Sequence, residues 1–248
     1  MRFFARGAYN ELMENTTSEV IILHGWSRDS SPSAKWQPIK QQLQNVGIKG
    51  SVLRLPGFEF PLTESWGVDE YVAWLARQFV GKKKITLVGH SFGGHLAVTY
   101  AARFPSQVEK LVLIASAGMR SQSLTSWLKR NFFYYLAKFG KKLTTSNLLR
   151  RVIYRLAGEQ DYLKANPIMR ESMRRVLEHE VDVLLPSITA DTTIIWGAND
   201  ETTPLEFVAR LQQGIPTARL RLIPNARHGV PFTHPKQVGR YIIEAHNG

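Results

Sequence analysis

The chain has 248 residues, 44% of them hydrophobic and 21% charged, which is ordinary globular usage and excludes a disordered or fibrous protein. It contains no cysteine, so disulfides, thiolate metal ligands and a cysteine nucleophile are excluded, and any nucleophile must be oxygen or nitrogen. Its 32 Lys and Arg against 20 Asp and Glu give a formal charge of +12, a property that bears on solubility and steering rather than on fold.

No stretch approaches the roughly 18 consecutive apolar residues needed to span a bilayer. The opening MRFFARGAYNELMEN lacks the apolar run of a signal peptide, so a cytoplasmic location is expected. The residues before 19 leave room for one abbreviated strand or hairpin. A Val/Ile/Leu-rich run at 19–23 then reads as the first confident strand and ends in His24-Gly25-Trp26. A helical pattern at 34–46 follows, then a strand at 51–55 running into LPGF, and a helix at 68–80. The strand at 84–88 leads through GHSFGG into a helix at 92–104, and another strand is expected at 110–115.

From 118 to 187 no strand-like run occurs. The apolar spacing there is helical, as in Trp127-Leu128 with Phe132, Tyr135-Leu136 and Phe139. The alternation then resumes, with strands at 192–196 and 218–223 and helices at 204–213 and 235–245. Six short, nearly continuous apolar strands alternating with helices predict a doubly wound α/β core on a mostly parallel sheet, buried on both faces. Residues 1–117 and 188–248 form that core. Residues 118–187 form a helical cap inserted after the strand at 110–115, over the sheet's carboxyl edge, where open α/β sheets bind ligands.

The chemistry centres on Ser91. A serine between Gly89 and Gly93, after a buried strand and before a helix, has the setting of a nucleophile elbow, whose sharp turn needs small residues two positions to either side. The bland alternative is an ordinary glycine-rich turn. A serine hydroxyl needs a general base, usually a histidine oriented by a carboxylate. Asp200 in WGAND and His228 in PNARHG follow the last two strands, in the order Ser, Asp, His and at the same sheet edge. Glu201 is the competing acid, whereas Asp191 precedes its strand and belongs at the opposite edge. His234 is the competing base but fits a helix start, and His95, His179 and His246 read as structural. His24-Gly25 forms a supporting turn after the first strand, or a mere tight turn on the bland reading. The backbone N–H groups of Trp26 and Phe92 would hold an oxyanion.

Together, ILHGW, LRLPGF, LVGHSFGGHLAVTYAARFP, LVLIASAG, IIWGANDETTP and IPNARHGVPFTHP span nearly all of the chain outside the cap. In these blocks the sequence resembles the α/β-hydrolase superfamily, in its capped, cofactor-free branch of esterases and C–C bond hydrolases. The resemblance implies the α/β-hydrolase fold, a Ser91–His228–Asp200 triad, no cofactor and no metal. Serine at the elbow sets the chain apart from the dehalogenases and epoxide hydrolases of similar fold, which use aspartate there.

The first choice of substrate is a small or medium carboxylic ester. The alternatives are a C–C bond hydrolase of a keto acid, whose carboxylate could meet cap arginines such as Arg150, Arg151, Arg155, Arg174 and Arg175, and a non-catalytic binding or receptor protein on the same scaffold. Between Gly118 and Leu185 lie 13 Lys and Arg against 6 Asp and Glu. Within that segment, SWLKRNFFYYLAKFGKKL reads as an aromatic roof with solvated charges in preference to a membrane-touching helix. No nucleic-acid motif accompanies it.

Overall fold

The structure, a computed structural model, describes residues 20–27, 29, 31–82, 84–121 and 167–248. Among these residues six strands form one sheet: β1 (Val20–Leu23), β2 (Gly50–Leu53), β3 (Ile85–His90), β4 (Val108–Ile114), β5 (Asp191–Gly197) and β6 (Arg219–Ile223). Their spatial order is β2-β1-β3-β4-β5-β6, and every pairing is parallel. All carboxyl ends therefore open on one edge. The expected opening strand or hairpin lies outside the described residues.

Alternate residues of each strand supply two separate cores, as the two-residue side-chain period requires. Ile21, Leu23, Leu87, Leu111, Leu113, Ile194 and Trp196 face one layer of helices: Val68–Gln78, Phe92–Arg103 and Leu205–Gly214. Val20, Ile22, Val88, Val112, Ile114 and Ile195 face the other layer, Gln37–Asn45 and Pro235–Asn247. The helices bury matching stripes. Val68, Tyr71, Val72 and Leu75 are buried at helical spacing, and the Glu70 carboxylate accepts the Gly67 N–H at 2.8 Å to close that helix's first turn. The doubly wound α/β sheet is thus as expected from sequence.

Several boundaries differ from expectation. The helix expected at 34–46 opens as a 3-10 turn over Pro32–Trp36 before becoming α-helical at Gln37–Asn45. β2 stops at Leu53 rather than at residue 55, because the Leu55 N–H turns away from the ladder and donates to His24 Nε2 at 3.4 Å. β4 starts at Val108. Its register with β3 jumps from Ile85↔Val108 to Thr86↔Lys110, leaving Glu109 as an exposed bulge.

Most of the expected cap, residues 122–166, lies outside the described residues. Its described part holds a helix, Pro167–Glu178, and a 3-10 turn, Asp182–Ser187, with no strand. That helix is fixed to the core by Arg175, which donates to the Ser65 carbonyl at 2.5 Å and pairs with Glu70. Among the described residues, no helix is long and apolar enough to cross a membrane.

Candidate active site

β3 delivers Ser91 in a backbone conformation that side-chain-bearing residues rarely adopt, φ 52° and ψ −117°. Such strain is worth on the order of 1–3 kcal/mol and persists only where neighbours over-determine it. Here three hydrogen bonds do so. The Ser91 N–H donates to the Ile114 carbonyl at 3.0 Å, while the Ser91 carbonyl accepts from Ala117 N–H at 3.0 Å and His95 N–H at 3.1 Å. The turn closes only because Gly89 and Gly93 carry no Cβ: one added at Gly89 would meet the Gly93 carbonyl oxygen at 2.4 Å, and one at Gly93 the Leu23 oxygen at 2.1 Å.

Asp200 and His228 come to the same edge on adjacent loops that are stitched together by backbone. The Ala198 N–H donates to the Ile223 carbonyl at 2.9 Å, and the Asn199 N–H to the Ala226 carbonyl at 2.8 Å. The result is a continuous relay: His228 Nε2 lies 2.9 Å from Ser91 Oγ, and His228 Nδ1 lies 2.9 Å from Asp200 Oδ2. Because the Asp200 carboxylate only accepts, Nδ1 carries the proton and Nε2 presents its lone pair to the serine hydroxyl.

Of the competitors, Glu201 is exposed, and Asp191 sits at the start of β5, where it pairs with Lys110 and Arg219. His234 sits at the N-cap position of the helix Pro235–Asn247 without a side-chain cap bond, and the His246 ring bonds Thr86 Oγ1 at 2.8 Å. His95 and His179 bond each other ring to ring at 3.0 Å and line the pocket wall.

The Asp200 side chain has no solvent exposure. Burial alone would raise its pKa, but the bond from His228 and those from the Thr203 N–H and hydroxyl outweigh it and hold the carboxyl below its ordinary value. The Thr202 and Thr203 N–H groups reach Oδ1 at 2.8 and 2.9 Å, and Thr203 Oγ1 donates to Oδ2 at 2.7 Å. Sequence reasoning missed Thr203. The available signal was its place three residues after Asp200, where a hydroxyl can close a turn onto a carboxylate.

On the other side of Ser91, the buried His24 ring donates Nδ1–H to the Gly25 carbonyl at 2.8 Å and accepts from Leu55, which braces the turn that carries Trp26. The Trp26 and Phe92 rings meet edge to face at 5.3 Å, and both residues line the pocket beside Ser91. Phe92 is the first residue of its helix, where backbone N–H groups have no intrahelical acceptor.

The pocket above Ser91 encloses about 490 Å³. Its walls combine apolar side chains of the core, Trp26, Phe92 and Phe207, with Met173, Val176 and Leu177 from the helix Pro167–Glu178. Glu180, Glu201 and Arg120 add charge, and Arg120 is paired with Glu180 at 3.2 Å. Of the arginines expected to meet a substrate carboxylate, the two described are paired with glutamates. Arg174 is spanned by Glu171 and Glu178 on its own helix, and Arg175 is held by Glu70, whereas Arg150, Arg151 and Arg155 lie outside the described residues.

Three buried histidines surround this edge. Burial lowers the pKa of His24, and it pushes His90 and His95 down to about 3, in each case helped by the charge of a neighbouring histidine, His228 for His90 and His179 for His95. In the unfolded chain these groups would titrate near 6.5. The unfolded state therefore binds more protons below that pH, and stability is complete above about 6.5 and falls as pH drops toward 3. Between pH 7.5 and pH 5, His90 and His95 together remove about 4 kcal/mol by this linkage. Urea unfolding at the two pH values checks it, and His95→Gln should roughly halve the difference. Asp200, with its lowered pKa, adds its own loss only when pH falls below the ordinary carboxylate range.

The pattern of the family described as the alpha/beta hydrolase fold matches residues 20–235. The chain belongs to that family. Among its relatives, the 2-hydroxy-6-oxo-2,4-heptadienoate hydrolase of Pseudomonas putida is 28% identical over 85% of this chain and 82% of its own length. The pimeloyl-[acyl-carrier protein] methyl ester esterase of Nitrosomonas europaea is 24% identical over 88% of this chain and 92% of its own. A solved meta-cleavage product hydrolase from Pseudomonas fluorescens superposes with a TM-score of 0.66 at 22% identity, covering 92% of this chain and 90% of the other, a likeness of fold.

Proposed function

We propose that this α/β hydrolase cleaves carboxylic esters by acyl transfer through Ser91. The observation that carries the reading is the relay itself, with Oγ to Nε2 and Nδ1 to Oδ2 both at 2.9 Å around a serine held at φ 52°. His228 Nε2 takes the Ser91 proton as Oγ attacks the ester carbonyl carbon. The resulting oxyanion is held by the Trp26 and Phe92 N–H groups. Collapse breaks the bond to the alkoxy oxygen, which leaves as the alcohol with the proton from His228. Water, deprotonated by the same ring, then attacks the acyl carbon and frees Ser91 and the acid. Asp200 stabilises the imidazolium and fixes its tautomer throughout. Residues 118–187 serve as the cap that shapes the pocket, a role supported by Met173, Val176 and Leu177 lining it.

The relatives' names favour a second reading, hydrolysis of a C–C bond in a 2-hydroxy-6-oxo dienoate. The described pocket argues for the ester. Two carboxylates, Glu180 and Glu201, line it, and Arg120 is already neutralised, so a substrate carboxylate would meet net negative charge. A small-molecule, uncharged acyl substrate fits these walls. Turnover of p-nitrophenyl esters of graded chain length, run beside a ring-fission product, tests the assignment. The expected result is ester turnover that exceeds turnover of the dienoate. Preference for the dienoate would reverse the substrate assignment. Failure of a fluorophosphonate to label Ser91 in folded protein would favour a binding scaffold without catalysis.

A further inference from the structure

His90, immediately before the serine, takes no part in the relay. Its ring is 5% exposed and lies among Trp36, Phe232 and His228, with ring centroids at 6.1, 5.6 and 5.3 Å. Nε2 lies 3.1 Å from the His228 carbonyl oxygen. A carbonyl only accepts, so Nε2 carries the hydrogen and Nδ1 is left as a bare acceptor. That nitrogen is fully buried and has no hydrogen-bond partner among the described residues. It faces the oxyanion turn so closely that a Cβ at Gly25 would come within 2.9 Å of it.

A buried, unpaired acceptor is destabilising. A leucine or phenylalanine would fill the same aromatic niche without an unpaired Nδ1 but would strip the His228 carbonyl of its N–H, so packing alone does not account for histidine here. What histidine adds is one N–H directed at the backbone of the residue that acts as base. We propose that His90 is a positioning residue, which donates Nε2–H to the His228 carbonyl and clamps the base-bearing loop against the Gly25 turn, so that Nε2 of His228 stays aimed at Ser91 Oγ. The inference rests on the acyl-transfer reading above.

The low pKa of His90 suits this role. When His228 becomes an imidazolium, a second cation 5.3 Å away would oppose it, and burial keeps the His90 ring neutral. The clamp also acts where small errors matter, since displacing a catalytic group by about 1 Å can cost 10²-fold in rate.

The test compares His90→Leu, which keeps bulk and loses the donor, with His90→Gln, whose side-chain amide can again donate to the His228 carbonyl. With p-nitrophenyl butyrate, His90→Leu is expected to lower kcat by about 10- to 100-fold with KM changed less than about twofold, and His90→Gln to recover most of the loss. Melting temperatures of both variants separate the effect from unfolding: His90→Leu trades the unpaired Nδ1 for an unpaired His228 carbonyl, so its melting temperature should stay close to that of wild type. The downfield proton resonance of His228 Nδ1–H gives a readout that needs no turnover: broadened in His90→Leu, restored in His90→Gln. Equal kcat and an equal resonance in wild type and His90→Leu would overturn the proposal, as would equal impairment of the two variants. If Ser91→Ala instead matched wild type in ester turnover, the acyl-transfer reading would fall, and the resonance alone would still decide whether His90 orders His228.

Discussion

Ser91→Ala is expected to lower kcat for p-nitrophenyl butyrate by on the order of 10⁶-fold with little change in KM, and His228→Ala by a similar factor. The two residues act as one unit: the hydroxyl is useful only if its proton leaves, and His228 Nε2, at 2.9 Å, is placed to receive it. The double variant should therefore be no slower than either single one, because removing the base from an enzyme without its nucleophile takes away nothing further. Asp200→Asn should be milder, about 10⁴-fold, since it leaves the nucleophile in place and spoils the tautomer. Its effect will be tempered by the Thr203 hydroxyl, which lies 3.2 Å from His228 Nδ1 as well as 2.7 Å from the carboxylate. Steady-state rates of all four variants, with enzyme concentration fixed by absorbance because the fluorophosphonate titrates only proteins that keep Ser91 and its base, provide the measurement. A Ser91→Ala protein retaining more than a few per cent of wild-type turnover would remove Ser91 from the mechanism.

The inner strands were legible because β1, β3 and most of β4 and β5 are buried on both faces and read as Val/Ile/Leu-rich runs, whereas the edge strands β2 and β6 are only partly buried and were found from their place in the alternation. The elbow was legible because its geometry demands glycine at 89 and 93, and few other features leave so direct a mark on composition. What escaped the sequence was set by contacts between distant segments. β2 ends two residues early because His24, from the neighbouring strand's loop, claims the Leu55 N–H. The first two residues of β4 were missed because the bulge at Glu109 breaks the alternation. Val230–Thr233, a single turn opening on Gly-Val-Pro, is too short to show any period. Thr203 and His90 were hidden for a related reason: the partner of each is a residue of the relay, and their roles appear only once Asp200 and His228 have been placed. The two described arginines differ in another way, while Arg150, Arg151 and Arg155 lie outside the described residues. Counting Arg174 and Arg175 suggested an anion site, yet each is consumed by glutamates that composition alone does not assign to it.

Gly93→Ala should be the most destabilising single methyl addition at the elbow. In a helix, alanine normally gains about 1 kcal/mol over glycine, so propensity predicts stabilisation. Steric contact reverses the sign. The added Cβ would stand 2.1 Å from the Leu23 carbonyl oxygen, 2.5 Å from its carbon and 2.6 Å from the His24 oxygen. These are backbone atoms of β1 and of the His24-Gly25 turn, and no side-chain rotation can relieve them. Either the helix Phe92–Arg103 lifts from the sheet or β1 moves with its whole ladder, and both break packing against Leu23, Leu87 and Leu96. A loss above about 4 kcal/mol is expected, the range reserved for severe core disruption and a large fraction of a domain's usual 5–15 kcal/mol. Gly229→Ala is the control, because a Cβ there meets nothing within 4 Å; it should change stability by less than about 1 kcal/mol. Urea midpoints of the two variants at pH 7.5 provide the comparison, and equal midpoints would sink the claim. The same approach of helix to strand that forbids a methyl group holds Phe92, the first residue of that helix, beside Ser91 at the pocket. Any Gly93→Ala protein that still folds should consequently lose turnover out of proportion to its population of folded molecules.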